Sequence, residues 1–350
     1  TQPTPVATAA AAKPATVSAE EAAWAQVVAA AKKEGKVTLY TWGITGQPGV
    51  KVSKAFKEAY GIEVETVTGV IPTLIERLKT EAAAGKNMAD TFDASTSSVQ
   101  IVKTAGLLQP LGYLPALSQK SAFRNDPVID QEGFITSVGI NYRAILINTN
   151  LVKAGQEPKS YKELLDPKWN GKIVIPSPVT AVGMNQLYAM KDQLGLNDDY
   201  FRQLAKNGII MVATDKDAAD MVARGEAHVL PSCSLLQSSA DVVKGAPAKA
   251  VFPTEGTMAG FGNTWSIVKN GPHPNAARVF INWLLSPEGQ KVYGEASAWT
   301  PLRNDVPDYI PAPLAVPQGA KILLSDLANE GKIAELRTQR VVAKIMGIEK

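Results

Sequence analysis

The segment Lys36-Val37-Thr38-Leu39-Tyr40-Thr41 opens a repeating pattern that decides the fold class. Its alternation of apolar and polar residues predicts a β-strand. Val52, Phe56 and Tyr60 follow at a spacing of four, which predicts a helix that ends at Gly61. Residues 63–92 continue with a strand, a helix and a third strand. Short connections between alternating strands and helices favour an α/β fold with a mostly parallel sheet covered by helices.

A second α/β unit begins near Lys172. Residues 172–175 predict a strand, and the segment after Thr180 predicts a helix. Another helix is capped by Thr214 and Asp217 and leads into a strand at residues 229–230. The chain therefore contains two α/β lobes.

The last third of the chain returns to the first lobe. Residues 264–268 predict a strand, and helices are expected to begin at Pro274 and at Ser286-Pro287-Glu288. The first helix of the chain is predicted by the S-x-x-E capping box of Ser18 and Glu21.

Bulk composition limits the classes of function. A chain of 350 residues with 45% apolar and 20% charged residues is typical of a soluble protein of two domains. No apolar run is long enough to span a membrane. A net charge of +3 gives no support to nucleic-acid binding.

The inventory of reactive side chains is small. Cys233 is the only cysteine, so no internal disulfide can form. Two histidines, His228 and His273, exclude a His-rich zinc or di-iron site. Neither a G-x-G-x-x-G nor a G-x-x-x-x-G-K-[ST] motif occurs, and no cofactor is expected.

Residues 1–18 are rich in Ala, Pro and Thr and predict a disordered tether. They lack the charged and apolar regions of a signal peptide. A start at Thr1 leads us to expect an export signal upstream, which could end in a lipidated cysteine. The alternative is a boundary inside a cytosolic protein.

A family resemblance rests on short phrases spread in order over residues 30 to 310. They are Glu34-Gly35-Lys36-Val37, Ala89-Asp90, Ala105-Gly106-Leu107-Leu108, Asp166-Pro167-Lys168-Trp169-Asn170-Gly171-Lys172-Ile173, Leu284-Leu285-Ser286-Pro287-Glu288-Gly289-Gln290 and Pro301-Leu302-Arg303-Asn304-Asp305-Val306. Because of the order and spacing of these phrases, the chain resembles family 1 extracellular solute-binding proteins. These proteins have the type II periplasmic-binding architecture, and the resemblance is to their ferric-binding-like branch.

The resemblance implies two lobes, each a mostly parallel sheet flanked by helices, joined by two crossover segments. Lobe 1 is expected to comprise residues 19–138 and 263–305, and lobe 2 residues 139–262 and 306–350. The crossings are expected near Gly139-Ile140-Asn141-Tyr142 and Gly260-Phe261-Gly262-Asn263, where glycines could absorb a hinge rotation.

The same resemblance implies the substrate-binding subunit of an ABC importer. Such a protein is periplasmic or extracellular and monomeric, closes on a small solute without reacting with it, and delivers it to a permease driven by an ATPase.

Ligands of such folds bind beyond the carboxyl ends of parallel strands. Trp42 and Gly43 follow the opening strand, and Ser95 and Thr96 lie at a helix start. Trp42 could stack on a ligand or only pack at a lobe edge, and the hydroxyls could bind a ligand or only cap the helix.

Two places in the second lobe are further candidates. Thr180 and Ala181 begin a helix whose free N–H groups suit phosphate or carboxylate, as the resemblance also implies. Asp215 could contact the ligand with Ser232-Cys233-Ser234, or serve only as a first-turn acid of its own helix.

Three more residues complete the predicted site: Tyr142 in the first crossing, and Trp299 and Arg303 in a segment that faces the cleft in the family. Arg303 offers a planar fork for a carboxylate or phosphate, or could form an ion pair between lobes. Arg143 is a weaker candidate of the same kind.

Iron is disfavoured, because the positions where ferric-binding relatives carry a tyrosine pair read Cys233 and Ser234. No metal site is predicted, and a small organic anion is the expected solute: a carboxylate, a phosphonate or a phosphorylated sugar. A ferric-iron receptor remains the alternative.

The rival class is an enzyme. Thiaminase-like proteins resemble these receptors and use a cysteine nucleophile, a part that Cys233 could play. His228 is five residues earlier on a predicted strand and would face the opposite side, which leaves only Asp215 within reach. A third class is a cytosolic interaction protein without a small ligand.

Overall fold

The computed structural model describes residues 18–124, 128–325 and 340–349. Residues 1–17 of the predicted tether and residues 326–339 of the second predicted lobe lie outside the described residues.

The first lobe is built on a sheet in which β1 is central. β1 (Lys36–Thr41) pairs in parallel with β2 (Glu63–Thr68) on one side and with β3 (Thr91–Ala94) on the other. β4 (Leu108–Gln109) adds a short strand. The helices of this lobe are α1 (Ala19–Glu34), α2 (Gly46–Tyr60), α3 (Ile71–Ala83) and α4 (Thr96–Thr104), and its later helices, α9 (Pro274–Leu285) and α10 (Pro287–Ser297), pack against α1 and α2.

The second lobe carries its own strands and helices. Its strands are β6 (Val174–Pro176), β7 (Ile210–Val212), β8 (Val229–Ser234) and β9 (Ala248–Val251), of which β6 and β7 are parallel. Its helices are α5 (Ala181–Gln193), α6 (Asp198–Lys206), α7 (Asp215–Arg224), α8 (Leu235–Val243) and the terminal α11 (Val341–Ile345), which contacts α5 and α6.

Two long strands run through both lobes. β5 (Ile135–Asn148) and β10 (Thr257–Val268) are antiparallel to each other, with Gly262 opposite Gly139 and Gly260 opposite Asn141. β10 also pairs with β3 in the first lobe, and β5 pairs with β8 and β9 in the second. These strands are the two predicted crossings, and the α/β two-lobed fold class is confirmed.

Two short strands complete this central part of the molecule. β11 (Thr300–Pro301) lies against β5, and β12 (Ile322–Leu324) lies parallel to β10. The predicted lobe boundaries after residues 138 and 262 fall within β5 and β10. The exact division of the chain stays a prediction.

Local sequence signals set most helix ends. The capping boxes of Ser18 with Glu21 and of Thr214 with Asp217 are confirmed, each with both reciprocal hydrogen bonds. Gly35 ends α1 and Gly225 ends α7, both with the positive φ that glycine adopts without a steric penalty.

Aromatic side chains fix the core of the first lobe. The ring of Phe280 lies 5.0 Å from Phe56 and 5.4 Å from Trp265. A separate cluster, which includes Tyr161, Trp169 and Phe201, fills the second lobe. Over the described ranges, none of the helices combines the length and apolarity that a membrane span requires.

Candidate functional site

A cleft of about 440 Å³ lies beside the two crossing strands, where the lobes meet. Its first wall comes from Trp42 after β1 and from the start of α4. Its second wall comes from α5, and its floor comes from β5 and β10. The cleft therefore joins residues that are up to 283 positions apart, from Trp42 to Ser325.

Arg143 is the only charged side chain that lines this cleft among the residues that the structure describes. Its Nη1 donates to Asp215 Oδ2 at 3.2 Å and to the carbonyl oxygen of Ser232 at 3.0 Å. No acceptor for Nε or Nη2 is found among the described residues. One edge of the guanidinium is thus anchored on the second lobe, and the other is available to a ligand.

Asp215 is the residue that anchors Arg143. It is buried in the first turn of α7, and its Oδ2 also accepts a hydrogen bond from the backbone N–H of Ser234 at 3.3 Å. Asp215 therefore acts behind the wall of the cleft by holding Arg143, and does not itself line the cleft.

The start of α4 presents hydroxyl and amide groups. Ser95 is the N-cap residue, and its Oγ lies 2.8 Å from Ser98 Oγ instead of capping the backbone. Thr96 Oγ1 lies 2.8 Å from Thr264 Oγ1 on β10. Within the described residues, the backbone N–H groups of Thr96 and Ser97 have no acceptor. A helix start with free N–H groups attracts negative charge.

Carboxamides supply most of the remaining polarity. Asn141 accepts from Ser234 Oγ at 2.9 Å. Asn185 and Gln186 project from α5, and Asn263 projects from β10. These groups can both donate and accept hydrogen bonds without adding charge.

Two indoles border the cleft. Trp42 is 49% exposed. Trp299 packs on the crossing strands, because a Cβ on Gly139 would meet Trp299 Cβ at 3.2 Å and a Cβ on Gly262 would overlap the Trp299 ring. Gly139 and Gly262, in the two predicted crossings, thus leave the space that the Trp299 side chain occupies.

Asp93 is fully buried near the end of β3, next to the loop that carries Trp42. Its Oδ2 accepts from the backbone N–H of Gly43 at 3.1 Å. Burial raises the pKa of Asp93 to about 7, against the opposing effect of hydrogen bonds from Thr41, Gly43 and Trp42. The carboxyl therefore supports the loop that carries Trp42.

We expect Asp93 to make stability depend on pH. Its pKa in the unfolded chain is near 3.9, so between that value and about 7 the folded chain binds the extra proton. The stabilisation is complete below the unfolded pKa and is lost as pH rises to about 7. The wild type should therefore lose stability between pH 4.5 and pH 8. Asp93→Asn lacks this titration, so its loss of unfolding free energy over the same interval should be about 1–3 kcal/mol smaller. Urea unfolding at the two pH values measures the free energy of unfolding. An equal change between pH 4.5 and pH 8 in both proteins would refute the prediction.

The structure brings part of the predicted site together. Trp42, Ser95, Thr96 and Trp299 line the cleft, and Gly43 packs directly against Asn263 of its floor. Ser234 lies just behind the wall through its bond to Asn141.

Other predicted residues of the second lobe lie farther back. Ser232 and Cys233 are fully buried in β8, and Thr180 caps α5 by accepting from the backbone N–H of Gly183 at 3.2 Å. Ala181 is the first residue of α5, whose next turns line the cleft.

Two predicted residues lie outside the lining of the cleft. Tyr142 is buried in the main core. Arg303 is buried, donates from Nε and Nη2 to Asp305 at 2.8 and 2.7 Å, and lies over the ring of Phe123. Its fork is therefore occupied by a local carboxylate.

Sequence reasoning assigned no binding role to the five carboxamides of the described lining: Asn141, Asn185, Gln186, Gln193 and Asn263. Asn141 and Asn263 fall within the two predicted crossings, so their position on the chain was the available signal. Asn185 and Gln186 follow one turn after the predicted helix start at Thr180.

A two-lobed α/β fold with a polar cleft at its crossing strands is the architecture of a solute receptor. The family model described as "Bacterial extracellular solute-binding protein" matches residues 51–318. The chain belongs to this family of solute-binding proteins, which serve ABC transporters, and the resemblance stated from the sequence is confirmed.

Individual relatives differ in what they bind. A periplasmic protein of Salmonella typhimurium named for 2-aminoethylphosphonate binding is 25% identical over 260 residues, which cover 72% of this chain and 73% of the relative.

Two solved structures share the fold. The Trichodesmium protein IdiA (FutA), in complex with iron and citrate, has a TM-score of 0.74 and 22% identity, covering 90% of this chain and all of the other. AfuA of Actinobacillus pleuropneumoniae, with fructose-6-phosphate bound, has a TM-score of 0.65 and 21% identity, covering 88% and 96%.

Proposed function

We propose that the chain captures a small organic anion in the interlobe cleft and delivers it to the permease of an ABC importer. The observation that carries this proposal is the state of Arg143. It is the single charged group of the described lining, it is held at one nitrogen, and its remaining donors are free. A guanidinium fixed in this way suits a carboxylate or a phosphate, because both accept its parallel hydrogen bonds.

The start of α4 supports the same charge preference. The N–H groups of Thr96 and Ser97 and the hydroxyl of Ser95 lie on the opposite wall from the α5 carboxamides. An anion between Arg143 and this helix start is attracted by the positive charge of the guanidinium and by the positive end of the helix dipole. The solute would then contact both lobes, which favours their closure.

The ferric alternative has fewer observations in its favour. Hard oxygen ligands such as carboxylates and phenolates suit a ferric ion. Within the described residues, the cleft is lined by no aspartate, glutamate, tyrosine or histidine, and no group of three or more His, Cys, Asp or Glu side chains is placed to hold a metal.

We also propose that the protein performs no reaction on its solute. Cys233, the nucleophile of the enzyme alternative, is fully buried, and burial raises the pKa of its thiol further than Ser238 lowers it. A thiolate is the reactive form, so this thiol should be inert.

Labelling of Cys233 tests this property. In the folded chain we expect a thiol reagent to modify Cys233 at least about 100-fold more slowly than in the urea-unfolded chain, because access requires opening of the second lobe. Cys233→Ser should keep the affinity for the solute. Rapid labelling of the folded chain that is blocked by an added solute would instead place the thiol in the cleft.

The partners and location follow from the family. We propose a monomeric receptor outside the cytoplasm, with an ABC permease and its ATPase as partners. Lipid anchoring through a residue upstream of Thr1 stays a prediction.

Mass spectrometry of the ligand released from the purified protein tests the proposed function. A thermal-shift series with citrate, phosphate esters and ferric chloride should follow it, because a ligand that binds the folded state raises the melting temperature by mass action. The proposal expects a carboxylate or phosphate in the first experiment and a shift with anions in the second. A shift with ferric ions alone would overturn it.

A further inference from the structure

Asn263 carries a buried carboxamide that has no hydrogen-bond partner among the described residues. Its side chain is 2% exposed and lines the cleft, and neither its Oδ1 nor its Nδ2 has a hydrogen-bond partner in the described part of the chain. Buried polar groups of this kind are normally satisfied, so each exception calls for a physical explanation.

The backbone holds Asn263 in this place at a cost. Its φ is +46°, in the left-handed region that non-glycine residues rarely adopt. The carboxamide also packs so closely on the Trp42 loop that a Cβ on Gly43 would lie 2.5 Å from both Oδ1 and Nδ2. Glycine at position 43 is therefore what makes room for this side chain.

Gln186 repeats the arrangement on the α5 wall of the cleft. It projects from α5, is 2% exposed, lines the same cleft, and its Oε1 has no partner among the described residues. Two buried carboxamides, one on a crossing strand and one on α5, thus line one cleft, and within the described residues both have unused hydrogen-bonding capacity.

The missing partner must match a carboxamide in chemistry. A carboxamide donates and accepts, and a hydroxyl group also does both. An ammonium group only donates, and its charge needs a nearby carboxylate when it leaves water. The described lining contains no carboxylate, since Asp215 lies behind the wall and is bonded to Arg143.

We propose that Asn263 and Gln186 make the cleft selective for hydroxylated anions that carry no amine, such as phosphorylated sugars or hydroxy acids. This inference rests on the proposed function, since Arg143 binds the anionic group while the two carboxamides bind the hydroxyls of the solute body. The chain would then differ from its Salmonella relative, whose name refers to an aminophosphonate.

Titration calorimetry on the whole chain tests the inference with matched probes. Glucose 6-phosphate is compared with glucosamine 6-phosphate, and glycerol 3-phosphate with 2-aminoethylphosphonate, while fructose 6-phosphate is compared with uncharged fructose. In each of the first two pairs, we expect the member without an amine, glucose 6-phosphate or glycerol 3-phosphate, to bind at least about tenfold more tightly.

Three variants link the preference to the two side chains. Asn263→Gly tolerates the positive φ and removes the carboxamide, and Gln186→Met keeps the shape and removes the polar atoms. Each should lower affinity for the hydroxylated phosphates about tenfold. Asn263→Asp should shift the preference toward the amines by adding the missing carboxylate.

The outcomes separate the two proposals. Equal binding of amines and hydroxylated phosphates, or unchanged affinity in Asn263→Gly and Gln186→Met, overturns the selectivity while leaving the anion role intact. Fructose binding as tightly as fructose 6-phosphate overturns the anion role while leaving the hydroxyl recognition intact. A panel in which nothing binds overturns both.

Discussion

Replacing Arg143 with alanine is expected to weaken the binding of an anionic solute about 100-fold. The guanidinium is the one charged group of the described lining, and its Nε and Nη2 are free to bond a carboxylate or phosphate. Each charge-assisted hydrogen bond contributes about 1.5–3 kcal/mol, so the loss of one or two bonds gives an effect of this size. Calorimetric titration with glucose 6-phosphate measures it.

Arg303→Ala is the matched control. Like Arg143, Arg303 is paired with a carboxylate. Arg303 is buried, however, its fork is occupied by Asp305, and it lies outside the cleft lining. Its removal should leave the affinity within about twofold, since its contact residues Phe123, Arg124 and Asp305 do not line the cleft. Arg143→Lys should lie between, because it keeps the charge and loses the planar fork. Equal losses in Arg143→Ala and Arg303→Ala would refute the assignment.

Arg143→Ala is also expected to lower the stability of the fold, which must be separated from its effect on binding. Asp215 is buried, and removing its partner leaves an uncompensated carboxylate, which is strongly destabilising in general. Arg143→Ala with Asp215→Asn removes both charges together. If this double variant folds like the wild type and still fails to bind, the loss belongs to recognition and not to unfolding.

These two arginines show why the binding site was harder to predict than the fold. Arg303 has its carboxylate two positions away, whereas Arg143 is held by Asp215, 72 positions away. Only folding decides which guanidinium is left with free donors. The family resemblance led us to expect Arg303 in the site, with Arg143 as a weaker candidate. Of the two, the folded chain brings only Arg143 to the lining of the cleft.

The fold was predictable because its signals are local. A capping box needs four consecutive residues, as at Ser18 and Thr214, and a glycine with positive φ ends a helix without distant partners. The strand-end loops with Trp42 and Ser95 follow from the same rules, because parallel strands place their carboxyl ends at one edge. Both residues line the cleft.

The carboxamides could not be found in this way. Asn263 is distinctive because Gly43, 220 positions earlier, packs against it and because no hydrogen-bond partner reaches it from the part of the chain that the structure describes. Burial without a hydrogen bond is a property of the folded chain, and an asparagine in a sequence carries no mark of it. The proposed solute specificity therefore depends on contacts between distant parts of the chain, which local patterns do not encode.

Gly262→Ala is expected to abolish most solute binding through Trp299. A Cβ at position 262 would overlap the six-membered ring of Trp299, and Gly139 confines the same indole from the facing strand, with a Cβ there meeting Trp299 Cβ at 3.2 Å. The indole must therefore leave its present position, which changes the border of the cleft. Overpacking of this kind costs about 1–3 kcal/mol, and we expect the affinity for glucose 6-phosphate to fall at least about tenfold.

Gly260→Ala provides the matched control on the same strand. It also lines the cleft, but a Cβ there would meet only Ser325 Oγ at 3.9 Å, an ordinary contact. Its stability and affinity should stay close to those of the wild type. In a Trp299→Ala background, Gly262→Ala should cost little further stability, because the clashing ring is gone, while affinity stays low. If Gly260→Ala and Gly262→Ala behaved alike, the effect would come from stiffening the crossing strand, and the steric role of Gly262 beneath Trp299 would be refuted.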